Sequence, residues 1–211
     1  MQIYSRIGQI LELTNRLNDA LIYYNKALSL AKDLGDIDTQ ASVLSGIAST
    51  FLHEGELDKA LSYYNETLSS ITNEKDKATI YNSIATIYFI KGDYQKAVEH
   101  LQKAIKIAEK YGDYQDASQM KLNLEGIYEV TRYYENAEKY LTDGLEGVKR
   151  AGDEFWEAKG YSYSGALYRD KGDKETAREY YTRAYDVFKS IGAEKDAQNV
   201  LNEIKALDEL N

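Results

Sequence analysis

The chain has 211 residues, 43% of them hydrophobic and 29% charged, a balance that fits a folded domain and excludes a disordered one. It contains no cysteine, which excludes disulfides, thiolate metal sites and cysteine nucleophiles, and no proline, which points to a mostly helical chain. The net charge of −9 argues against nucleic-acid binding, and no apolar run reaches the length of a membrane span.

Residues 1–40 set a pattern that then returns. They place a small residue at Gly8, large ones at Leu11 and Tyr24, and small ones at Ala20 and Ala27. Residues 41–77 carry Ala48, Phe51, Ala60, Tyr64 and Thr67 in the same order. Residues 78–117 carry Ala85, Tyr88, Ala97, Leu101 and Ala104. Residues 118–157 carry Glu125, Tyr128, Ala137, Leu141 and Gly144, and residues 158–197 carry Gly165, Tyr168, Ala177, Tyr181 and Ala184. Spacings of three, four and seven place such residues on one face of a helix, so small residues on one helix admit a neighbour and aromatics fill the interface. Each unit therefore reads as two helices. Turn signals fall between them at Gly55, Lys91-Gly92-Asp93 and Lys171-Gly172-Asp173, and after them at Gly35-Asp36, Gly112-Asp113, Gly152-Asp153 and Gly192.

Three places depart from the pattern. The second unit is three residues short, with the run 71–77 standing in place of a Gly-Asp turn. In the fourth unit Glu125 takes a small-residue position and Lys121 an aromatic one, four residues apart. Either the two pair along the helix, or the helix is rotated, or Gly126 takes over the close contact. The tail 198–211, with Val200, Leu201, Ile204, Leu207 and Leu210, reads as an amphipathic helix capping the last repeat. The N-terminus has no such cap. We therefore expect either a segment excised from a longer protein or an end covered by self-association.

The tyrosine pairs Tyr23-Tyr24, Tyr63-Tyr64 and Tyr180-Tyr181 recur at equivalent positions, which argues for packing, the second ring in the core and the first against the next helix. The two histidines, His53 and His100, lack metal-ligand spacing, and His100 is expected to be exposed. No phosphate loop or dinucleotide glycine pattern is present, so neither a cofactor nor a metal is expected.

The stretch from Tyr81 to Ala97, YNSIATIYFIKGDYQKA, resembles the tetratricopeptide repeat family almost position by position, and the resemblance extends over the whole chain in its longer, roughly 40-residue form. It implies an all-α fold, a right-handed superhelix of antiparallel helix pairs, in which the first helices line a concave groove. Carried onto this chain, the groove positions include Ser5 and Gln9, Ser45 and Ser49, Asn82 and Thr86, Leu122 and Gly126, and Ser162 and Ala166. Toward the helix ends they include Glu12, Leu13, Leu52, His53, Phe89, Ile90, Glu129, Val130, Arg169 and Asp170. The candidate partner-binding set is Ser45, Ser49, Leu52, His53, Asn82, Thr86, Phe89, Ile90, Val130 and Arg169, a small-sided polar groove with an apolar patch. The lysine and asparagine of the family's carboxylate clamp are replaced by Ser5 and Gln9, so acidic tails are not expected ligands. The resemblance implies a non-enzymatic cytoplasmic scaffold that binds a protein or peptide, not nucleic acid or membrane, with self-association through the first helix as a further expectation. A sensory or regulatory module of a larger signalling or transcription-regulating protein is the alternative.

Overall fold

The computed structural model describes residues 1–209, and they form eleven α-helices with no strand among them. These are α1 (Gln2–Leu13), α2 (Leu17–Asp33), α3 (Ile37–His53), α4 (Leu57–Ser70), α5 (Lys77–Ile90) and α6 (Tyr94–Lys110). Then come α7 (Tyr114–Val130), α8 (Tyr134–Ala151), α9 (Glu154–Asp170), α10 (Lys174–Ser190) and α11 (Glu194–Glu209). None is long and apolar enough to cross a membrane. The chain divides into two compact units, Met1–Ile107 and Ala108–Asn211, with the boundary inside α6.

All but one of the turns between helices are made in one way. The amide after each turn residue reaches back to a carbonyl five residues earlier: Asp36 to Ala31, Glu56 to Phe51, Asp93 to Tyr88, Asp153 to Val148 and Asp173 to Tyr168, at 2.9–3.0 Å. This closure satisfies carbonyls that the helix end leaves orphaned, and it needs a left-handed residue. Glycine supplies it at Gly35, Gly55, Gly92, Gly112, Gly152, Gly172 and Gly192. Asn15 (φ 58°) and Arg132 (φ 61°) supply it without glycine, at two turns that carry no Gly signal in the sequence. The aspartate that follows the glycine caps the next helix: Asp36 accepts from the Thr39 amide, Asp153 from Trp156 and Asp173 from Thr176. Helices α3, α7, α9 and α11 begin at Ile37, Tyr114, Glu154 and Glu194, four residues before the repeat boundaries drawn from small-residue spacing.

The short second repeat loses its residues from helix ends. Both α4 and α5 have 14 residues where α3, α6, α7, α9 and α10 have 17. Ile71 leaves α4 in an extended conformation (φ −65°, ψ 122°), and the junction has no left-handed turn.

In the first and fifth repeats the core is matched by size. Tyr24 is buried on α2, and a Cβ added to Gly8 would fall 2.8 Å from its ring, so only glycine lets α1 approach. Gly165 meets Tyr181 in the same way, at 2.6 Å. Where the second-helix residue is the shorter Leu141, the small partner is replaced by Glu125. The converse exchange occurs nearby: Leu122 is fully buried, and the facing position is Gly144, whose Cβ would lie 2.8 Å from Leu122 Cγ. Leu122 is therefore core, not groove lining. A second set of rings stacks across the helix pair twelve residues apart: Phe51 on Tyr63, Tyr128 on Tyr140 and Tyr168 on Tyr180, with centroids 5.5–5.6 Å apart. His100 fills this position in its repeat, between Tyr88 (5.3 Å) and Tyr81 (5.8 Å), so it is half-buried packing rather than exposed. Burial and nearby Lys103 lower its pKa.

Helix α11 lays Ala197, Val200 and Leu207 against Tyr181, Ala184 and Phe188 and turns Lys195, Gln198, Asn202 and Lys205 outward. Leu210 of the expected cap lies outside the described residues. At the other end, α1 leaves Ile3 (73%), Ile10 (60%) and Leu13 (87%) exposed.

Candidate interaction surfaces

In the first unit, α1, α3 and the 71–76 junction enclose a concavity of about 700 Å3. Its walls are mostly small or polar, among them Gln9, Glu12, Ser42, Ser45, Gly46, Ser49 and Thr79. Asp38 and Asp76 add two carboxylates, and no lysine or arginine lines it. Tyr24, which lines the concavity, is wedged between two glycines: a Cβ on Gly46 of α3 would fall 2.7 Å from the ring that also excludes one at Gly8.

Glu12 organises this wall. Its Oε2 accepts from the Tyr24 hydroxyl (2.9 Å) and its Oε1 from Ser49 Oγ (2.6 Å), with His53 Nδ1 3.3 Å from the same oxygen. Burial, with the hydrogen bond to Glu12, raises the Tyr24 hydroxyl pKa well above the usual phenol range. Three helices are thereby tied through one largely buried carboxylate, whose side chain is 12% exposed. Charge-assisted bonds of this kind are stronger than neutral ones. The sequence places Glu12 at a groove position, but its role depends on a contact 37 residues along the chain.

The candidate residues fall into separate groups. Ser45 and Ser49 line the concavity, and His53 stands at its edge beside Glu12. Leu52 is half-buried and packs on the cluster around Ala48, Tyr64 and Ile84. On α5, Asn82 is half-buried with its Oδ1 inaccessible and unpartnered, and Thr86 is exposed with its hydroxyl on the Asn82 carbonyl (3.1 Å). Phe89 (38%) and Ile90 (56%) are exposed where α5 ends, with the Phe89 ring 5.7 Å from Tyr94.

Val130 and Arg169 belong to the second unit. Val130 is exposed at the end of α7. Arg169 is committed within the fold: Nη1 donates to Glu203 Oε2 (2.7 Å) and to the Tyr181 hydroxyl (3.3 Å), and Nε donates to Asp170 Oδ1 (3.0 Å). It stands where Glu12 stands in the first repeat, and each engages its own repeat's buried tyrosine. Glu129, Ser162, Tyr163, Ala166, Arg169, Tyr181, Asn199, Val200 and Glu203 bound a concavity of about 330 Å3.

The irregular fourth repeat differs from two of the sequence expectations. Lys121 pairs with Glu109 (2.9 Å), not with Glu125. A Cβ on Gly126 would meet nothing within 4 Å, so Gly126 takes over no close contact. Glu125 is fully buried, and neither carboxyl oxygen has a hydrogen-bond partner. Burial, with a smaller contribution from Glu129, pushes its carboxyl up to about 8.

Models described as tetratricopeptide repeat match residues 1–73, 78–111 and 154–190, together well over half of the chain. The chain is 28% identical over 120 residues to the photosystem I assembly protein Ycf3 of Rippkaea orientalis (strain PCC 8801 / RF-1). That match covers 50% of this chain and 66% of Ycf3, just under two thirds of the relative's length. Among solved structures, BtubC from P. vanneervenii is similar with a TM-score of 0.70 at 23% identity, covering 92% of this chain and 91% of that one. YrrB, described as a TPR protein with an unusual peptide-binding site, is similar with a TM-score of 0.61 at 19% identity, covering 96% and 90%. These two likenesses establish the fold.

Proposed function

Because the chain belongs to the tetratricopeptide repeat family, we propose that it is a protein-interaction scaffold that holds a peptide or helical segment in its concave faces. The observation that carries the reading is the 700 Å3 concavity of the first unit. Its floor of serines and glycine leaves room for backbone. Its hydroxyls offer hydrogen bonds to a peptide chain, and the exposed Phe89 and Ile90 at the end of α5 offer an apolar anchor. YrrB, with the same fold, carries a peptide-binding site. Ycf3, to which half of this chain is similar, is described as a photosystem I assembly protein. Fold alone does not fix a partner, so the assignment stops at a protein or peptide.

A displayed library of 12-residue peptides selected on the wild-type chain tests the reading. Peptides so recovered should lose binding to Ser45→Trp, which fills the concavity, and weaken on Asn82→Ala and Phe89→Ala. Undiminished binding to all three variants, with each shown to be folded by circular dichroism, would place recognition elsewhere on the molecule.

A further inference from the structure

Helices α3, α5 and α9 each bury one face against the second helix of the repeat before. The positions lie five residues before the small residue, one before it and two after it, spacings of four and three that share a face. On α3 they are Val43, Ile47 and Thr50, all buried, and the first two join Ala20, Tyr24 and Leu28 of α2 in one cluster. On α5 they are Ile80, Ile84 and Ile87, clustered with Ala60 and Tyr64 of α4. On α9 they are Gly160, Ser164 and Leu167. Leu167 clusters with Leu141 and Val148 of α8, and a Cβ on Gly160 would fall 2.7 Å from Leu145.

Helix α1 builds the same face from Ile3, Ile7 and Ile10 and leaves it open: Ile3 is 73% exposed, Ile10 is 60% exposed and Ile7 is half-buried. Leu13 is a different case. It is exposed at a position where His53, Ile90, Val130 and Asp170 are exposed too, so it belongs to the helix end and not to this face.

The internal interfaces show what fits such a face. Each covering helix has a small residue, a large one four on, a small one seven on and a leucine eight on. These are Ala20, Tyr24, Ala27 and Leu28 in α2, Ala60, Tyr64, Thr67 and Leu68 in α4, and Ala137, Leu141, Gly144 and Leu145 in α8. One residue of α1 refines the pattern. Arg6 stands two before Gly8, where α3 has Gly46 because a Cβ would fall 2.7 Å from the Tyr24 ring. An arginine there leaves no room for a tyrosine in the covering helix. Arg6 is exposed and has no ion pair among the described residues, so a shorter, negatively charged residue suits that place.

We propose that the outer face of α1 docks one amphipathic helix of a partner protein, with the small and leucine positions of α2, α4 and α8 and a glutamate or aspartate in place of the tyrosine. This is a second interaction surface, separate from the serine-lined concavity. A second copy of the chain has no such helix to offer. The pattern residues of α2, α4, α8 and α10 are spent on α3, α5, α9 and α11. Their counterparts in α6, Ala97, Leu101, Ala104 and Ile105, are buried, and α11 turns Lys195, Gln198, Asn202 and Lys205 outward.

The probe is a fluorescent peptide of the α2 sequence Leu17–Asp33 carrying Tyr24→Glu, held helical by a staple between the exposed positions 25 and 29. Fluorescence anisotropy should show saturable binding to the 211-residue chain. Ile3→Asp and Ile10→Asp, both at exposed sites, should each weaken it about tenfold. A Tyr24→Lys peptide should bind about tenfold more weakly than the Tyr24→Glu peptide, and Arg6→Glu should reverse that order. Ser45→Trp, which fills the concavity, should change nothing. Absence of saturable binding, or binding unaffected by Ile3→Asp and Ile10→Asp, overturns the proposal. So does loss of binding in Ser45→Trp, which would place the peptide in the concavity. Sedimentation of the chain alone supplies the remaining outcome: dimers that Ile3→Asp dissolves would put a second copy on this face in place of a partner helix.

Discussion

The carboxyl of Glu125 sits at 0% exposure in the core of the second unit, without a donor for either oxygen. A glutamate in an unfolded chain ionises near pH 4.5, and burial raises this one to about 8. The folded state therefore binds more protons than the unfolded state between those values. Stability contributed at this position is complete below about pH 4.5, falls as pH rises through the interval, and levels off above 8. Glu125→Gln removes the titration and keeps the shape. It should raise stability by about 3 kcal/mol at pH 7 and change it little at pH 4. Denaturant unfolding of the two proteins from pH 4 to pH 9 checks this. Parallel pH curves would mean that Glu125 is ionised or solvated in the folded protein. The half-buried cap Asp36 behaves in the opposite sense. Its carboxyl is held low by the amide and hydroxyl of Thr39, so its contribution is lost on the acid side.

At the scale of the helix pair, glycine has two different uses, and an added methyl group separates them. Gly165 on α9 lets the Tyr181 ring come within 2.6 Å of the place where a Cβ would stand. Gly126 on α7 faces open space. Gly165→Ala must push a buried ring aside and should cost about 1–3 kcal/mol. Gly126→Ala only restricts the unfolded chain and favours helix, and should gain about 0.5–1 kcal/mol. Thermal unfolding of the two variants should move in opposite directions, and a shared direction would contradict the size-matching of the repeats. That matching was legible in the sequence, because Gly8 with Tyr24 and Gly165 with Tyr181 recur at fixed spacing. Turns marked by Gly-Asp were legible for a physical reason too, since the closure requires positive φ. The turns at Asn15 and Arg132 were not, because a non-glycine residue in that conformation leaves no compositional mark. Nor was the Glu12, Tyr24 and Ser49 network, which forms only when α1, α2 and α3 meet. His100 escaped for a related reason. Its neighbours suggested a surface, but its repeat position belongs to a stacked ring.

At the scale of the whole chain, an array of helix pairs is held by contacts between neighbours, so a lesion should be felt locally and fade along the chain. Leu207 of α11 is 3% exposed and belongs to a core cluster with Phe188 and Tyr181 of α10. Leu207→Ala removes that anchor and should cost about 2–4 kcal/mol. In a single cooperative globule the loss would lower amide protection everywhere. In this fold it should fall on α9, α10 and α11, while α1 to α4 of the other compact unit keep their protection. Native-state hydrogen exchange resolved by peptide distinguishes the two outcomes, and a uniform loss would show that the units unfold as one. The location matters for recognition. The concavity bounded by Arg169, Tyr181 and Glu203 is closed on one side by α11, through the Arg169–Glu203 ion pair at 2.7 Å. Loosening α11 should therefore disturb that concavity. Peptide contacts at Ser45 and Ser49, whose concavity is lined by residues of the first unit, should survive.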